Sequence, residues 1–235
     1  MPVEVILEDL GSIDYKKAWD YQEDLFKQNI DIKIAIRKNE TTEKTTNYLL
    51  FCEHQHVYTL GKSGDASHLL MSEERLEEIE ATYYKINRGG DITYHGPGQI
   101  VMYPIFDLDT YFFSDIHKYM RYLEESVILT LKEYGIESGR VEGKTGVWLG
   151  IDSPQERKIC ALGVKASRWV TMHGIGFNIN TDLNYFNYIV PCGIEDKGVT
   201  SLEKELGHPV DINEVKEKLQ KNVATVFNLN YVQKK

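Results

Sequence analysis

Arg88-Gly89-Gly90-Asp91-Ile92-Thr93-Tyr94-His95-Gly96-Pro97-Gly98-Gln99-Ile100-Val101-Met102-Tyr103-Pro104 is the stretch around which the rest of the chain is read. Its seventeen positions hold four glycines, one arginine, one histidine, one glutamine and two tyrosines, a mixture poorly suited to a helix. Glycine has no Cβ, so its main chain approaches a partner closely and adopts positive φ. Gly96-Pro97-Gly98 marks a turn. Residues 81–87 before the loop and 99–108 after it alternate as strands, with Pro104 suggesting an edge or a bulge. No Gly-x-Gly-x-x-Gly opens a helix, so the unit is not a dinucleotide-binding parallel sheet. Such a loop lies against a ligand, or is a sharp structural turn with incidental polar residues.

Working outward, residues 3–7 read as a short strand and 15–34 as a helix that packs Ala18, Trp19, Leu25 and Phe26. Residues 47–53 read as a buried strand in which Cys52 belongs to the core. Ser72, followed by Glu73 and Glu74, opens a helix to about Glu80. Ser114 is the expected cap of a long amphipathic helix reaching about Tyr134 and closed by Gly135. Strands at 144–150, 158–165 and 174–180 follow, with Asp152-Ser153-Pro154 turning between the first two. Helices at 200–206 and 211–227 come last, the second opened by Asp211 with Glu214 in a capping-box pattern. The expected fold class is α+β: a single domain over residues 1–235, with a mixed, mainly antiparallel sheet and helices on one side.

A chain of 235 residues buries a sizeable core. Its formal charge of −9 argues against affinity for nucleic acid built on phosphate neutralisation. Three cysteines without regular spacing fit reduced thiols better than a disulfide framework. Met1-Pro2-Val3-Glu4-Val5 has no signal-peptide character, and no apolar run is long enough to span a bilayer. A soluble cytoplasmic protein without membrane partners is therefore expected.

Three features invite chemistry. His54 and His56, one residue apart, would share a face of an extended segment, but zinc wants three or four ligands and no third is at hand, so no metal site is assigned. Gly61-Lys62-Ser63 mimics the end of a phosphate loop, yet His56 stands where its first glycine belongs. Cys192, between Pro191 and Gly193, sits where neither helix nor strand is favoured, so its sulfur is poised in a turn; reactivity requires the thiolate, which a nearby cation favours. His95 and His173 each precede a glycine, which suits a ring beside a cleft as well as a satisfied interior histidine.

Taken together, Arg88-Gly89-Gly90-x-x-Thr93-Tyr94-His95-Gly96-Pro97-Gly98-Gln99, Lys158-Ile159-Cys160-Ala161-Leu162-Gly163 and Pro191-Cys192-Gly193 resemble the lipoyl(octanoyl) transferases, over roughly residues 15–206. The resemblance implies the fold of lipoate and biotin protein ligases. It implies transfer of an octanoyl group from octanoyl-acyl carrier protein to a lysine of lipoyl domains, in 2-oxoacid dehydrogenase complexes and the glycine cleavage H protein. No cofactor is implied. The matching positions make Cys192 and Lys158 the catalytic pair, and assign the acyl substrate to Arg88, Gly89, Gly90, Asp91, Ile92, Thr93, Tyr94 and His95, to Ala161, Leu162 and Gly163, and to Gly174, Ile175 and Gly176. Small residues suit a thin acyl chain. Asp91 within the glycine motif and the extended segment 40–44 depart from the family pattern.

Cys160 is two residues from Lys158 on an expected strand, hence on its face, and ranks below Cys192 as a nucleophile. Lys118, Arg121 and Lys132 on the long helix are candidates for docking an acidic carrier protein, or a solvated face. Two alternatives remain: an ATP-dependent lipoate or biotin protein ligase, which needs an adenylate site and no cysteine, and a noncatalytic module that binds lipoyl domains.

Overall fold

The structure, a computed structural model, describes residues 1–190 and 198–234, and in it the glycine-rich stretch joins two sheets. The chain opens with β1 (Val3–Ser12) and α1 (Tyr15–Arg37), then β2 (Tyr48–Glu53) and β3 (Val57–Leu60). The short α2 (Glu73–Glu78) leads to β4 (Thr82–Lys85), β5 (Ile92–His95) and β6 (Gln99–Ile105). After α3 (Leu108–Tyr111) and α4 (Ile116–Lys132) come β7 (Gly139–Val141), β8 (Lys144–Leu149), β9 (Arg157–Ser167) and β10 (Val170–Asn178). The last elements are β11 (Gly198–Val199), α5 (Leu202–Leu206), α6 (Ile212–Phe227) and β12 (Leu229–Val232).

Among the described residues the large sheet runs β12-β1-β2-β6-β10-β9-β8-β7, with β11 added beside β9, and the small sheet runs β4-β3-β5. Parallel pairs occur at β1-β12, β1-β2, β9-β11 and β3-β4, and the other ladders are antiparallel. The mixed, mainly antiparallel sheet is as expected. Its centre is β6, buried at every position, which explains a continuous apolar run in place of alternation.

The helices do not lie on one side. On one face, Tyr119, Leu123, Val127 and Leu131 of α4 and Val215, Leu219, Val223 and Phe227 of α6 repeat every four residues and pack as two stripes against Leu49, Phe51, Ile100 and Phe177. The other face is covered by α1, whose Ala18, Leu25 and Phe26 meet Leu50, Val101, Tyr103 and Met172. The sheet has two apolar faces and needs both covers.

Pro104 is not on an edge strand, because β6 lies between β2 and β10. Instead, the β6-β10 ladder stops at Met102 opposite Ile175 and resumes with Thr171 N–H donating to Phe106 O, so the missing N–H of Pro104 removes no bond. Asp115, not Ser114, caps α4 by accepting from Lys118 N–H. At α6, Asp211 caps through Asn213 N–H, while Glu214 pairs with Lys218 at 2.7 Å and so does not form the reciprocal box. Among the described residues no helix is long and apolar enough to cross a membrane.

Candidate active site

A gap in the large sheet makes the site. β8 pairs with β9 only through Val147, Trp148 and Leu149, opposite residues 157–160. Beyond Cys160 the edge of β9 is left by β8 and taken up by the glycine-rich loop, where Gly89 N–H donates to Val164 O at 2.9 Å. On the neighbouring strand Gly174 stands opposite Gly163, and Gly176 opposite Ala161. These small residues admit the loop. A Cβ on Gly163 would lie 2.8 Å from Gly89 O and 3.0 Å from Arg88 Cδ, and one on Gly176 would lie 3.1 Å from His95 Nδ1. The glycines thus serve main-chain approach first; room for a thin chain is what the docked loop leaves.

What it leaves is a cavity of about 630 Å³, a volume ordinary for a small-molecule site. Residues 88–93, His95, Ala161, Leu162, Gly163, Gly174, Ile175, Gly176 and Lys158 all line it. Tyr94 does not. Its side chain crosses to the other side of β5, stacking on Tyr185 at 5.0 Å and bonding its hydroxyl to His56 Nδ1 at 2.7 Å, as alternation along a strand requires. The exposed rim includes Ser63, Gly90, His117 and Thr145, whereas Tyr15, Tyr103, His95 and His173 form the buried inner wall. Of these, His117, Thr145 and Tyr15 belong to no motif, and Ser63 and Tyr103 lie in stretches singled out for other reasons, so sequence reading assigned none of the five to the site.

His95 is held in one tautomer by a chain of amides. Asn178 Nδ2 donates to Thr200 O (3.0 Å), Gln99 Nε2 donates to Asn178 Oδ1 (2.8 Å) and to Tyr94 O (3.2 Å), and so Gln99 Oε1 is left to accept His95 Nδ1–H at 2.6 Å. The terminal carbonyls, which only accept, fix every orientation in between. Burial, with help from neighbouring His54, pushes the His95 pKa down to about 3, so the ring is neutral with its lone pair on Nε2. His173 is likewise pushed down to about 3, by burial and then by the Arg88 charge. Its backbone has φ +60°, its N–H donates to Gln22 Oε1 of α1 at 3.0 Å, and its buried Nε2 has no hydrogen-bond partner among the described residues.

Arg88 braces the loop from inside. Its guanidinium donates to Thr59 O (2.6 Å), Thr59 Oγ1 (3.0 Å) and Gly89 O (3.0 Å). The Gly61-Lys62-Ser63 turn lies on the same loop, with its three N–H groups donating to Asp91 O, Arg88 O and Gly90 O. Those donors are occupied, so the resemblance to a phosphate loop has a structural explanation. Asp91 pairs with His68 at 2.6 Å and raises the pKa of that ring by hydrogen bonding. His54 and His56 do not share a face, because the chain leaves the large sheet between them: His54 bonds Ile13 O and Tyr103, whereas His56 stacks on Tyr185 at 4.0 Å.

Lys158 lies over the Trp148 ring, its Nζ 4.6 Å from the centroid, and lines the cavity. Cys160 does not share its side. The pairing shifts from Val147↔Cys160 to Trp148↔Lys158, which inserts Ile159 as a bulge and turns Cys160 into the core with Ile159. Burial pushes the Cys160 and Cys52 thiols up, which leaves both inert. Cys192 lies outside the described residues. Val190 N–H, at the end of the first described segment, donates to His68 O, and the chain is described again at Gly198 and Val199, paired with Arg157 and Lys158. Of the helix cations, Arg121 pairs with Glu124 at 2.7 Å and Lys118 lies 4.5 Å over the Phe113 ring.

Comparison with known proteins places this arrangement. The family described as Lipoyl protein ligase A/B catalytic domain matches residues 14–224. An octanoyltransferase of Flavobacterium johnsoniae is 61% identical over 233 residues, covering 99% of this chain and 100% of the relative. One from Flavobacterium psychrophilum is 62% identical over 227 residues, covering 96% and 97%. Among solved structures, the bipartite lipoate protein ligase from Thermoplasma acidophilum, studied with its E2 lipoyl domain, superposes with a TM-score of 0.69 at 16% identity, covering 100% of this chain and 87% of that one. That likeness speaks for the fold, and the Flavobacterium relatives for the kind of enzyme. The chain belongs to the octanoyltransferases, a family of acyltransferases built on the lipoyl protein ligase A/B catalytic domain.

Proposed function

We propose that this chain, acting over residues 1–235 as one catalytic domain in the cytoplasm, transfers octanoyl from octanoyl-acyl carrier protein to a lysine of lipoyl domains. Octanoyl transfer is the activity named for its relatives. The observation that carries the reading is a cavity walled by residues 88–93, Ala161, Gly163, Gly174 and Gly176 that is lined by Lys158, alongside Lys144, whose amine donates to Glu156 at 2.9 Å. Burying an eight-carbon chain there is worth roughly 0.8 kcal/mol per methylene before ordering costs.

The chemistry runs in two steps. The Cys192 thiolate, stabilised by protonated Lys158, attacks the thioester carbonyl of the donor; the new carbon–sulfur bond forms as the carrier's sulfur leaves, taking the Lys158 proton to depart as a thiol and leaving Lys158 neutral. The incoming lysine amine then attacks the acyl-cysteine, an amide forms, the Cys192 sulfur leaves as thiolate, and neutral Lys158 takes the amine's proton. Main-chain N–H groups near Cys192 or at Gly90 receive the charge that develops on the carbonyl oxygen, since Gly89 N–H is already taken by Val164 O. A thioester already carries the energy an amide needs, so no ATP enters, in keeping with the occupied donors of Gly61, Lys62 and Ser63. This separates the reading from a ligase, which activates a free acid.

Intact mass after incubation with octanoyl-acyl carrier protein, without ATP, should show one octanoyl adduct that a lipoyl domain removes and that Cys192→Ser abolishes. Strict dependence on ATP, or an adduct that survives Cys192→Ser, overturns the proposal.

A further inference from the structure

One carboxylate is buried on the helix that borders the cavity. Ile116, Met120 and Glu124 follow one line of α4 at a spacing of four. The first two line the cavity, whereas Glu124, 1% exposed, is turned to β8. Its Oε1 accepts Gly146 N–H at 3.0 Å, and its Oε2 accepts from Arg121 at 2.7 Å and from Arg140 at 3.0 Å. A buried ion pair adds little net stability over well-packed apolar side chains, so stability does not account for a carboxylate at this place.

What Glu124 grips is the main chain beside Lys158. Among the described residues Gly146 is paired in neither neighbouring ladder: toward β9 the last pair is Val147↔Cys160, and toward β7 the pairs are Gly139↔Trp148 and Val141↔Lys144. The bond to Glu124 holds it where the ladders do not. Gly146 has φ +122°, and a Cβ there would lie 2.7 Å from Cys160 O, 3.3 Å from Lys158 Cε and 3.4 Å from Lys158 Cδ. The stem of Lys158 therefore runs against the bare Cα of Gly146, and its Nζ ends 4.6 Å from the Trp148 centroid. A lysine stem is flexible and costs rotamer freedom to fix. Gly146 and Trp148 bracket it.

We propose that Glu124 is a positioning residue for octanoyl transfer: by holding Gly146 against the Lys158 stem, it fixes where the amine stands on the cavity wall. The inference rests on the role given to Lys158 above. Glu124 touches no reacting atom and acts through one main-chain bond.

The test reads the amine directly and the reaction separately. Isotope-labelled reductive methylation gives each lysine a magnetic-resonance reporter, and that of Lys158, assigned by its absence in Lys158→Arg, should be displaced by the Trp148 ring current. Glu124→Ala should return it toward the other lysines. In unmodified protein the same variant should lower kcat by about tenfold to a hundredfold, the cost of misplacing a catalytic group by roughly an ångström, and leave KM for octanoyl-acyl carrier protein within about twofold. Arg140→Gln takes a cation from Glu124 but leaves the bond to Gly146, so resonance and kcat should match the parent's whatever stability is lost. An unmoved resonance in Glu124→Ala, or a kcat within about twofold of the parent's, overturns the proposal. An equal loss of kcat in Arg140→Gln does so too, by making the effect one of stability. If Glu124→Ala does not fold, Glu124→Asp decides: it keeps the charge that the arginines can follow but draws the oxygen back from Gly146, and the same displacement and loss of kcat are required of it. A parent enzyme that transfers no octanoyl counts against the proposed function, and the Lys158 resonance still reads the positioning in that case.

Discussion

The two faces of the large sheet are built on opposite plans. Under α4 and α6 the layer is Leu, Val, Phe and Ile, filled with side-chain volume. Across β9 and β10, near the glycine-rich loop, side-chain volume is withheld at Ala161, Gly163, Gly174 and Gly176, and burial is spent on His95, His173 and Arg88. The first face supplies stability. The second gives some of it up for a space with defined polar walls, which is how functional sites commonly depart from the rules that govern cores.

That contrast breaks most visibly at Leu123, fully buried on the filled face. Leu123→Ala should lose about 3 kcal/mol of unfolding free energy in urea titrations, with the same pH dependence as the parent. A loss under about 1 kcal/mol would mean that the layer relaxes around the gap and is not the rigid one of the two.

Acid should weaken the carved face next. His95 and His173 bind protons near pH 6.5 when unfolded but only near pH 3 when folded. Over that window the unfolded chain holds more protons, so unfolding free energy falls as pH falls, by roughly 1.4 kcal/mol per pH unit for each ring. At pH 5 each should have cost about 2 kcal/mol relative to neutrality. His173→Asn should remove its own share from the difference between urea titrations at pH 7 and pH 5. An unchanged difference would show that the fold does not keep this ring neutral.

The smallest effects should come from outside both faces, at the start of α6. Asp211→Ala should cost about 1 kcal/mol as a lost cap. Glu214→Gln should stay below about 0.5 kcal/mol, because Glu214 makes an exposed ion pair with Lys218 and no capping bond. Equal losses at the two positions, read by thermal unfolding, would restore the capping box.

The sequence shows its own local chemistry well. The strand at Tyr48–Glu53, the helix opened by Ser72 and the helix after Asp211 are legible because apolar period and caps are written in neighbouring residues. The motifs likewise led to the lining residues 88–93, Ala161 and Gly163. Hidden from such reading are features decided between distant segments. Nothing local announces that β12 pairs with β1 at Leu229 and Val3, that α1 covers the second face of the sheet, or that a bulge at Ile159 separates Cys160 from Lys158. Tyr15 and Tyr103 reach the cavity from a helix and a strand far apart in the chain, so they look like ordinary core aromatics.

One ladder ties two parts of the chemistry together mechanically. Val199 is in register with Lys158, and Thr200 N–H donates to Lys158 O at 2.9 Å, while Thr200 O holds the first amide of the chain that ends on His95. A tug on the strand bearing the amine is therefore felt two ways, along the downstream flank of the cysteine segment and across to the imidazole. Amine and imidazole answer to a common anchor, and a distortion at that anchor would detune both at once.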